Sequence, residues 1–124
     1  MDQVTSIYPS YVYGNYLHGL ECVQHGDCEI ALTSFRKALN CDNRDYRVWL
    51  GLGDCYSLKK EYEKAVLHYT QSLTLFPQCL TAICRIAQSW IHLNNIAAAQ
   101  KMISKGLLYD REYPGVDDHL DFDI

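Results

Sequence analysis

The chain has 124 residues, of which 48% are hydrophobic, and its 11 basic and 15 acidic side chains give a formal net charge of −4. This length is typical of one domain, which buries roughly two thirds of its extended surface on folding. We expect neither a membrane-spanning helix nor a secretory signal, because the sequence lacks a run of 18 apolar residues and a basic leader followed by an apolar block.

The spacing of apolar residues predicts six helices and no strands. In chain order, a lead-in covers residues 1–11, and the first helix is expected over about 9–24. The second helix ends near residue 40, and the remaining four are expected over about 45–59, 61–76, 78–93 and 96–110. Turn signals separate these helices, namely Gly26-Asp27, Asp42-Asn43 and Asn94-Asn95.

A pattern of large and small residues recurs along these helices with a period of 34 residues. In the middle of the chain it consists of Trp49, Leu52, Gly53, Tyr56, Ala65, Tyr69 and Pro77. A shift of 34 residues places Gly53 on Gly19 upstream and on Ala87 downstream, so the position stays small. This pattern is typical of the tetratricopeptide repeat, a helix–turn–helix unit. It predicts an all-α fold of three repeats, at residues 12–45, 46–79 and 80–113, stacked as a short right-handed superhelix.

The last residues, 114–124, form an acidic tail. Residues 1–110 contain ten basic and ten acidic side chains, so residues 111–124 account for the whole net charge. This distribution argues against nucleic-acid binding, which requires a concentrated basic surface. The tail can be a solvated end that aids solubility. Alternatively, its apolar residues fold back on the repeats or bind a partner, and these are Tyr113, Val116, Leu120, Phe122 and Ile124.

No pattern of residues indicates an enzyme, a cofactor or a metal site. The five histidines belong to no catalytic motif, and the six cysteines contain no Cys-x-x-Cys pair or zinc-ligand spacing. We interpret the cysteines as reduced structural thiols of a cytoplasmic protein, with a disulfide framework or a metal site as the alternative. The prediction is therefore a non-enzymatic protein that uses no cofactor, inserts into no membrane and binds other proteins.

The first helices of stacked repeats line a concave groove, so their remaining face predicts the binding site. When the residues that pack inside the fold are set aside, the remaining face of these helices has an aromatic and aliphatic end and a more polar end. Leu58 is a further candidate for this face. Such a mixture suits an extended peptide, whose side chains fill apolar pockets while polar groups set its register. The predicted groove residues are Tyr13, Tyr16, Leu20, Arg47, Leu50, Asp54, Cys84, Arg85 and Gln88. The alternative for Tyr13 and Tyr16 is that they cap the superhelix or pack against a preceding helix.

Two subclasses of the family can be compared with these positions. The members that clamp the C-terminal carboxylate of heat-shock proteins use Lys and Asn at positions that carry Tyr16, Leu20, Gly51, Thr81 and Arg85 here, so a carboxylate clamp is not expected. By contrast, residues 42–55 together with Leu58 and residues 61–65 resemble the central repeat of type III secretion translocator chaperones. That resemblance implies a virulence-associated chaperone with a groove for an extended client segment.

The leading functional hypothesis is a peptide-binding chaperone or adaptor, with a type III secretion client as one expected partner. Its groove would bury three or four apolar anchors of the partner, each worth about 1.5–3 kcal/mol. The alternative is a structural subunit or fragment of a larger repeat assembly that acts through its ends, around Tyr11, Tyr13 and Tyr109. Either hypothesis permits a homodimer or a heterodimer.

Overall fold

The structure is a computed structural model that describes residues 9–112, with side chains described for residues 12–108. Over this range it contains six α-helices and no strand, which confirms the predicted all-α fold. The expected lead-in up to residue 8 and the acidic tail lie outside the described residues, as do the side chains of Tyr11 and Tyr109. The helices are α1 (Pro9–Gln24), α2 (Cys28–Cys41), α3 (Tyr46–Leu58), α4 (Tyr62–Leu75), α5 (Leu80–His92) and α6 (Ile96–Glu112).

The helices form three antiparallel pairs whose turns repeat the same backbone geometry. The residue that reverses the chain has a positive φ in each pair, and these residues are Gly26 (81°), Lys60 (65°) and Asn94 (63°). The next amide closes the turn by donating a hydrogen bond to a carbonyl five residues earlier, as Glu61 does to Tyr56 over 2.9 Å. This arrangement satisfies carbonyl groups that the helix end leaves free. The turn conformation therefore repeats every 34 residues, as the sequence pattern does.

Stacking of the first two pairs depends on Phe35, a fully buried residue of α2. A Cβ atom at Gly19 of α1 or at Gly51 of α3 would stand 2.5 Å from the Phe35 ring. The ring therefore occupies space that only glycine leaves open on both neighbouring helices. In the middle pair, Gly53 leaves space for the ring of Tyr69 in the same way, although the sequence alone indicated a close approach of the two backbones.

The hydrophobic core follows the stack from one end to the other. Buried residues come from every described helix, and the largest of those that are fully enclosed are Tyr69, Phe35, Ile83 and Val48. Trp49 fixes the start of the middle repeat, because its indole Nε1 donates a hydrogen bond of 3.0 Å to the carbonyl oxygen of Asn43. No helix in the range 9–112 has the length and the hydropathy that a membrane span requires.

The six cysteines lie within the described residues, and none of them forms a disulfide. Cys22, Cys55 and Cys79 are buried, whereas Cys84 is exposed. Burial is the main cause that raises the pKa of Cys55 to about 12, so this thiol stays protonated at neutral pH. Between residues 9 and 112, no group of three or more His, Cys, Asp or Glu side chains is placed to hold a metal ion.

Candidate peptide-binding groove

The first helices of the three pairs, α1, α3 and α5, are joined by side-chain contacts along one surface. Arg47 of α3 lies over Tyr13 and Tyr16 of α1, and Asp54 of α3 is hydrogen-bonded to Arg85 of α5. We call this surface the groove face and define it by the residues that the sequence predicted for it: Tyr13, Tyr16, Leu20, Arg47, Leu50, Asp54, Cys84, Arg85 and Gln88.

One end of the groove face is a cluster of two tyrosines and an arginine. The Arg47 guanidinium carbon is 5.1 Å from the centre of the Tyr16 ring and 6.0 Å from that of Tyr13. The two rings are 6.3 Å apart, and Tyr16 is the same distance from Phe35 in the core. Tyr16 is half-buried, whereas Tyr13 is 51% exposed. Within this cluster, the ring of Tyr16 therefore packs against the core, and the ring of Tyr13 is accessible to a partner.

Asp45 holds the arginine of this cluster in place. Its carboxylate accepts hydrogen bonds from Arg47 Nε (3.0 Å) and Nη2 (2.9 Å), and it also caps α3 by accepting one from the Arg47 amide. Burial by itself would raise the pKa of Asp45, but the hydrogen bonds and the charge of Arg47 outweigh that effect and lower it. Because a two-point contact with a carboxylate fixes a guanidinium plane, Arg47 is preorganised over the tyrosines.

The middle of the groove face holds a half-buried ion pair rather than two independent charges. The Asp54 carboxylate accepts hydrogen bonds from the Tyr69 hydroxyl (2.5 Å) and from Arg85 Nη1 (2.7 Å). Burial is the largest effect on Asp54 and raises its pKa, even though Arg85 and Tyr69 favour the ionised form. Asp54 and Arg85 therefore join α3 to α5 and partly satisfy each other, which limits their capacity to bind a carboxylate or an amine of a partner.

The nine residues differ in how far a partner could reach them. Leu50 is only 9% exposed and belongs to the hydrophobic core. As a predicted groove residue, Leu50 was expected to be accessible to a partner. Neighbouring core residues enclose its side chain instead. Four residues are half-buried, namely Tyr16, Leu20, Asp54 and Arg85. The other four are exposed, namely Tyr13, Arg47, Cys84 and Gln88.

Sequence reasoning missed two contributors to this surface. Ile91 is 49% exposed and lies three residues after Gln88 and seven after Cys84, so it shares their side of α5. This spacing was visible in the sequence and could have identified it. Asp45 was read only as the start of a helix, and its second role depends on the rotamer of Arg47, which a sequence pattern does not reveal. Leu58, the additional candidate, is 50% exposed at the end of α3.

Comparison with known proteins agrees with this architecture. Residues 46–79 match the family model described as the tetratricopeptide repeat. Residues 46–79 are a tetratricopeptide repeat. Among solved structures, the fold resembles the TPR2AB domain of yeast Sti1 in complex with pHSP90, with a TM-score of 0.83 and 16% identity over 94% of this chain and 45% of that one.

A second similar structure is that of the Yersinia enterocolitica type III secretion translocator chaperone SycD. Its TM-score is 0.82, with 19% identity over 93% of this chain and 87% of SycD. At such identities, these likenesses establish the fold alone.

Two curated relatives are fungal proteins. Protein bimA of Emericella nidulans is 30% identical over 82 residues, which are 66% of this chain and 10% of that protein. The anaphase-promoting complex subunit 3 of Schizosaccharomyces pombe is 32% identical over 69 residues, which are 56% of this chain and again 10% of that protein. The chain thus spans about a tenth of the length of these relatives.

Proposed function

We propose that this protein is a non-enzymatic adaptor whose groove face binds an extended segment of another protein. The observation that carries this proposal is the cluster of Tyr13, Tyr16 and Arg47. An exposed aromatic ring beside a preorganised guanidinium can stack on apolar or aromatic side chains and can also bind a carbonyl oxygen of a peptide. Tyrosine and arginine are also residue types that dominate binding energy at protein interfaces.

The accessible apolar residues of the surface extend this binding site. Leu58 and Ile91 are each about half exposed, and a partner could cover them without disturbing the core. Leu50 cannot serve as an anchor site without rearrangement, so the affinity is expected to come from the tyrosine–arginine cluster and these two side chains. Preorganisation favours binding because fewer side chains must be ordered when the complex forms.

The class of partner is part of the proposal. The middle repeat resembles that of translocator chaperones, and the fold is similar to that of the type III secretion translocator chaperone SycD. A secreted client of that kind, met in the cytoplasm and held in an extended form, is a partner that fits the groove face. The proposal requires only an extended apolar segment and holds for any protein that presents one.

Peptides selected from a displayed library of random 12-residue sequences provide the test. A peptide that binds the full chain should lose affinity about tenfold with Tyr13→Ala or Ile91→Ala, because each change removes an exposed contact. Affinity is measured by isothermal titration calorimetry, and circular dichroism checks that each variant keeps its helices.

Leu67→Ala is the matched control for these variants. Leu67 is 66% exposed on α4, a second helix, and therefore lies outside the groove face. Its replacement should leave peptide affinity unchanged. Loss of binding in the Leu67 variant together with full binding in the Tyr13 and Ile91 variants would contradict the proposal.

A second candidate function is a structural module of a larger repeat assembly that works through its ends. It is favoured by the curated relatives, one of which is named as a subunit of a complex and is about ten times longer than the region matched here. It is also favoured by the exposed apolar residues Ile103 and Leu107 at the end of the stack. In that case a partner bound at the C-terminal end of the stack would remain bound to the Ile91→Ala variant and be lost with Leu107→Asp.

A further inference from the structure

Both arginines of the groove face are paired with a neighbouring carboxylate. Arg47 Nη2 lies 2.9 Å from an oxygen of Asp45, and Arg85 Nη1 lies 2.7 Å from an oxygen of Asp54. The other residues of the groove face are tyrosine, leucine, cysteine and glutamine, and none of them carries a carboxylate, an amine or a guanidinium. Each positive charge of this surface is therefore balanced by a negative charge in direct contact with it.

The pairing of Arg47 occupies one edge of its guanidinium. Nε and Nη2 both donate hydrogen bonds to Asp45, and the centre of the Tyr16 ring lies 5.1 Å from the guanidinium carbon. Nη1 makes no hydrogen bond among the residues that the structure describes. Arg47 can therefore still donate to a neutral oxygen, such as a backbone carbonyl of a partner, although its charge is already compensated.

The charge of Arg85 is compensated from another helix. Its partner Asp54 belongs to α3 and also accepts a hydrogen bond from the Tyr69 hydroxyl of α4, so side chains of three helices fix this ion pair. The Arg85 and Asp54 side chains are 38% and 24% exposed, so water screens their attraction less than that of a fully exposed pair. Nε and Nη2 of Arg85 make no hydrogen bond within the described part of the chain and remain donors for neutral acceptors.

The two carboxylates also obstruct a charged partner. A carboxylate that approaches Arg47 comes close to Asp45, and like charges brought together at an interface are unfavourable. Asp45 cannot swing away without loss, because its Oδ1 also accepts a hydrogen bond of 3.0 Å from the Arg47 amide and thereby caps α3. A lysine or arginine of a partner meets the reverse obstacle, since each groove carboxylate already has an arginine beside it.

The groups that remain available suit the backbone of an extended segment. Gln88 is exposed, and its amide offers both a donor and an acceptor. Together with the remaining N–H groups of Arg47 and Arg85, it can pair with the backbone C=O and N–H groups that an extended segment leaves free. Arg47 and Asp54 are seven residues apart on α3, about 10 Å at 1.5 Å per residue, which about three extended residues span.

We infer that Asp45 and Asp54 mask the charges of the two groove arginines and so make the groove face select uncharged extended segments over acidic ones. The selection of segments rests on the proposed function, whereas the masking of the arginines does not. Apolar side chains and backbone hydrogen bonds then carry the binding, which depends little on salt. Asp45 and Asp54 determine specificity in this way through the arginines that they contact.

Inorganic phosphate tests the masking without any peptide. The Nε–H signals of Arg47 and Arg85 are followed by NMR in the labelled full chain as phosphate is added. Asp45→Asn should make the Arg47 signal respond at a phosphate concentration about fivefold lower than in the wild type, and Asp54→Asn should do the same for Arg85, as expected for the loss of one partly exposed ion pair. Asparagine is also a good N-cap residue, so Asp45→Asn should keep α3, which circular dichroism checks.

Glu63→Gln is the matched control for both variants. It removes one negative charge from an exposed position of α4, a second helix, and therefore acts outside the groove face. Both arginine signals should respond to phosphate in this variant as they do in the wild type.

A glutamate scan of a selected peptide tests the choice of partner. Each residue of a library peptide that binds the groove face is replaced in turn by glutamate, and affinities are measured by isothermal titration calorimetry at low and high salt. No replacement should strengthen binding to the wild-type chain. At least one glutamate peptide should bind Asp45→Asn about fivefold more tightly than it binds the wild type, and high salt should remove this gain.

The possible results separate this inference from the proposed function. Equal phosphate responses in the wild type, Asp45→Asn and Asp54→Asn would overturn the masking. A glutamate peptide that binds the wild type more tightly than its parent would overturn the selection, because it would reveal an uncompensated positive charge. Library peptides whose affinity ignores Tyr13→Ala and Ile91→Ala would contradict the proposed function and with it the selection, while the phosphate titration decides the masking by itself.

Discussion

At the scale of single residues, two buried serines in second helices have opposite environments. Ser34 of α2 is 5% exposed, and its hydroxyl is hydrogen-bonded to His18 Nδ1 at 2.6 Å. Ser72 of α4 is fully buried, and its hydroxyl has no hydrogen-bond partner within the described part of the chain. A buried hydroxyl that loses its water contacts without a replacement reduces the stability of the fold.

We therefore expect Ser72→Ala to raise the free energy of unfolding by about 1 kcal/mol. The change removes the unsatisfied hydroxyl, and Ala38 shows that alanine fits the equivalent position of the first repeat, where it is fully buried. Urea denaturation followed by circular dichroism measures the difference. Ser34→Ala is the matched control and should lower stability, since it removes the hydrogen bond to His18 Nδ1. A destabilised Ser72 variant would contradict this account of the site.

The same scale shows where sequence reasoning succeeds and where it stops. Gly53 and Ala65 could be recognised because a repeat demands small residues at fixed spacing. The pairing of Asp54 with Arg85 could not, because the two residues are 31 positions apart and meet only when the repeats stack. Leu50 has a spacing compatible with the groove, and only the packing of its neighbours shows that it is buried.

At the scale of the elements, the three helix pairs share one turn geometry but not one turn residue. The reversing position is Gly26 in the first pair, Lys60 in the second and Asn94 in the third. For an L-residue other than glycine, a left-handed conformation costs roughly 1–2 kcal/mol, and asparagine tolerates it better than lysine. The middle turn therefore carries the largest backbone penalty of the three.

We predict that Lys60→Gly stabilises the chain by about 1 kcal/mol, because glycine adopts a φ of 65° without steric cost. Thermal denaturation measures the change. Asn94→Gly should have a smaller effect, and Gly26→Ala should destabilise by a similar amount, since a Cβ there meets no atom within 4 Å and only the backbone conformation matters. A Lys60→Gly variant that melts at a lower temperature than the wild type would contradict this explanation.

The limits of the helices were also predictable from sequence, because turn residues and caps mark them locally. The third helix was expected over about 45–59, and in the structure it covers Tyr46–Leu58. The shared turn geometry was not predictable, since lysine carries no sequence signal for a positive φ. It follows from the stacking of the helix pair, which overrides the local preference of that residue.

At the scale of the whole molecule, the stack has two surfaces of different character. The groove face presents a preorganised tyrosine–arginine cluster with further exposed apolar residues, Leu58 and Ile91. The C-terminal end of the described stack presents three aliphatic side chains of α6, Ile96, Ile103 and Leu107, which are 52%, 47% and 62% exposed. We assign partner binding to the first surface, because preorganised polar groups give specificity that a plain aliphatic stripe lacks.

The central claim is that a partner segment binds along the groove face. Amide chemical shifts of the labelled chain, recorded during titration with a selected peptide, test it most directly. The account predicts that the largest shifts occur at Tyr13, Arg47, Gln88 and Ile91, across the three first helices. Shifts confined to Ile96, Ile103 and Leu107, with the groove face unchanged, would contradict it and would show that this protein binds partners through its end.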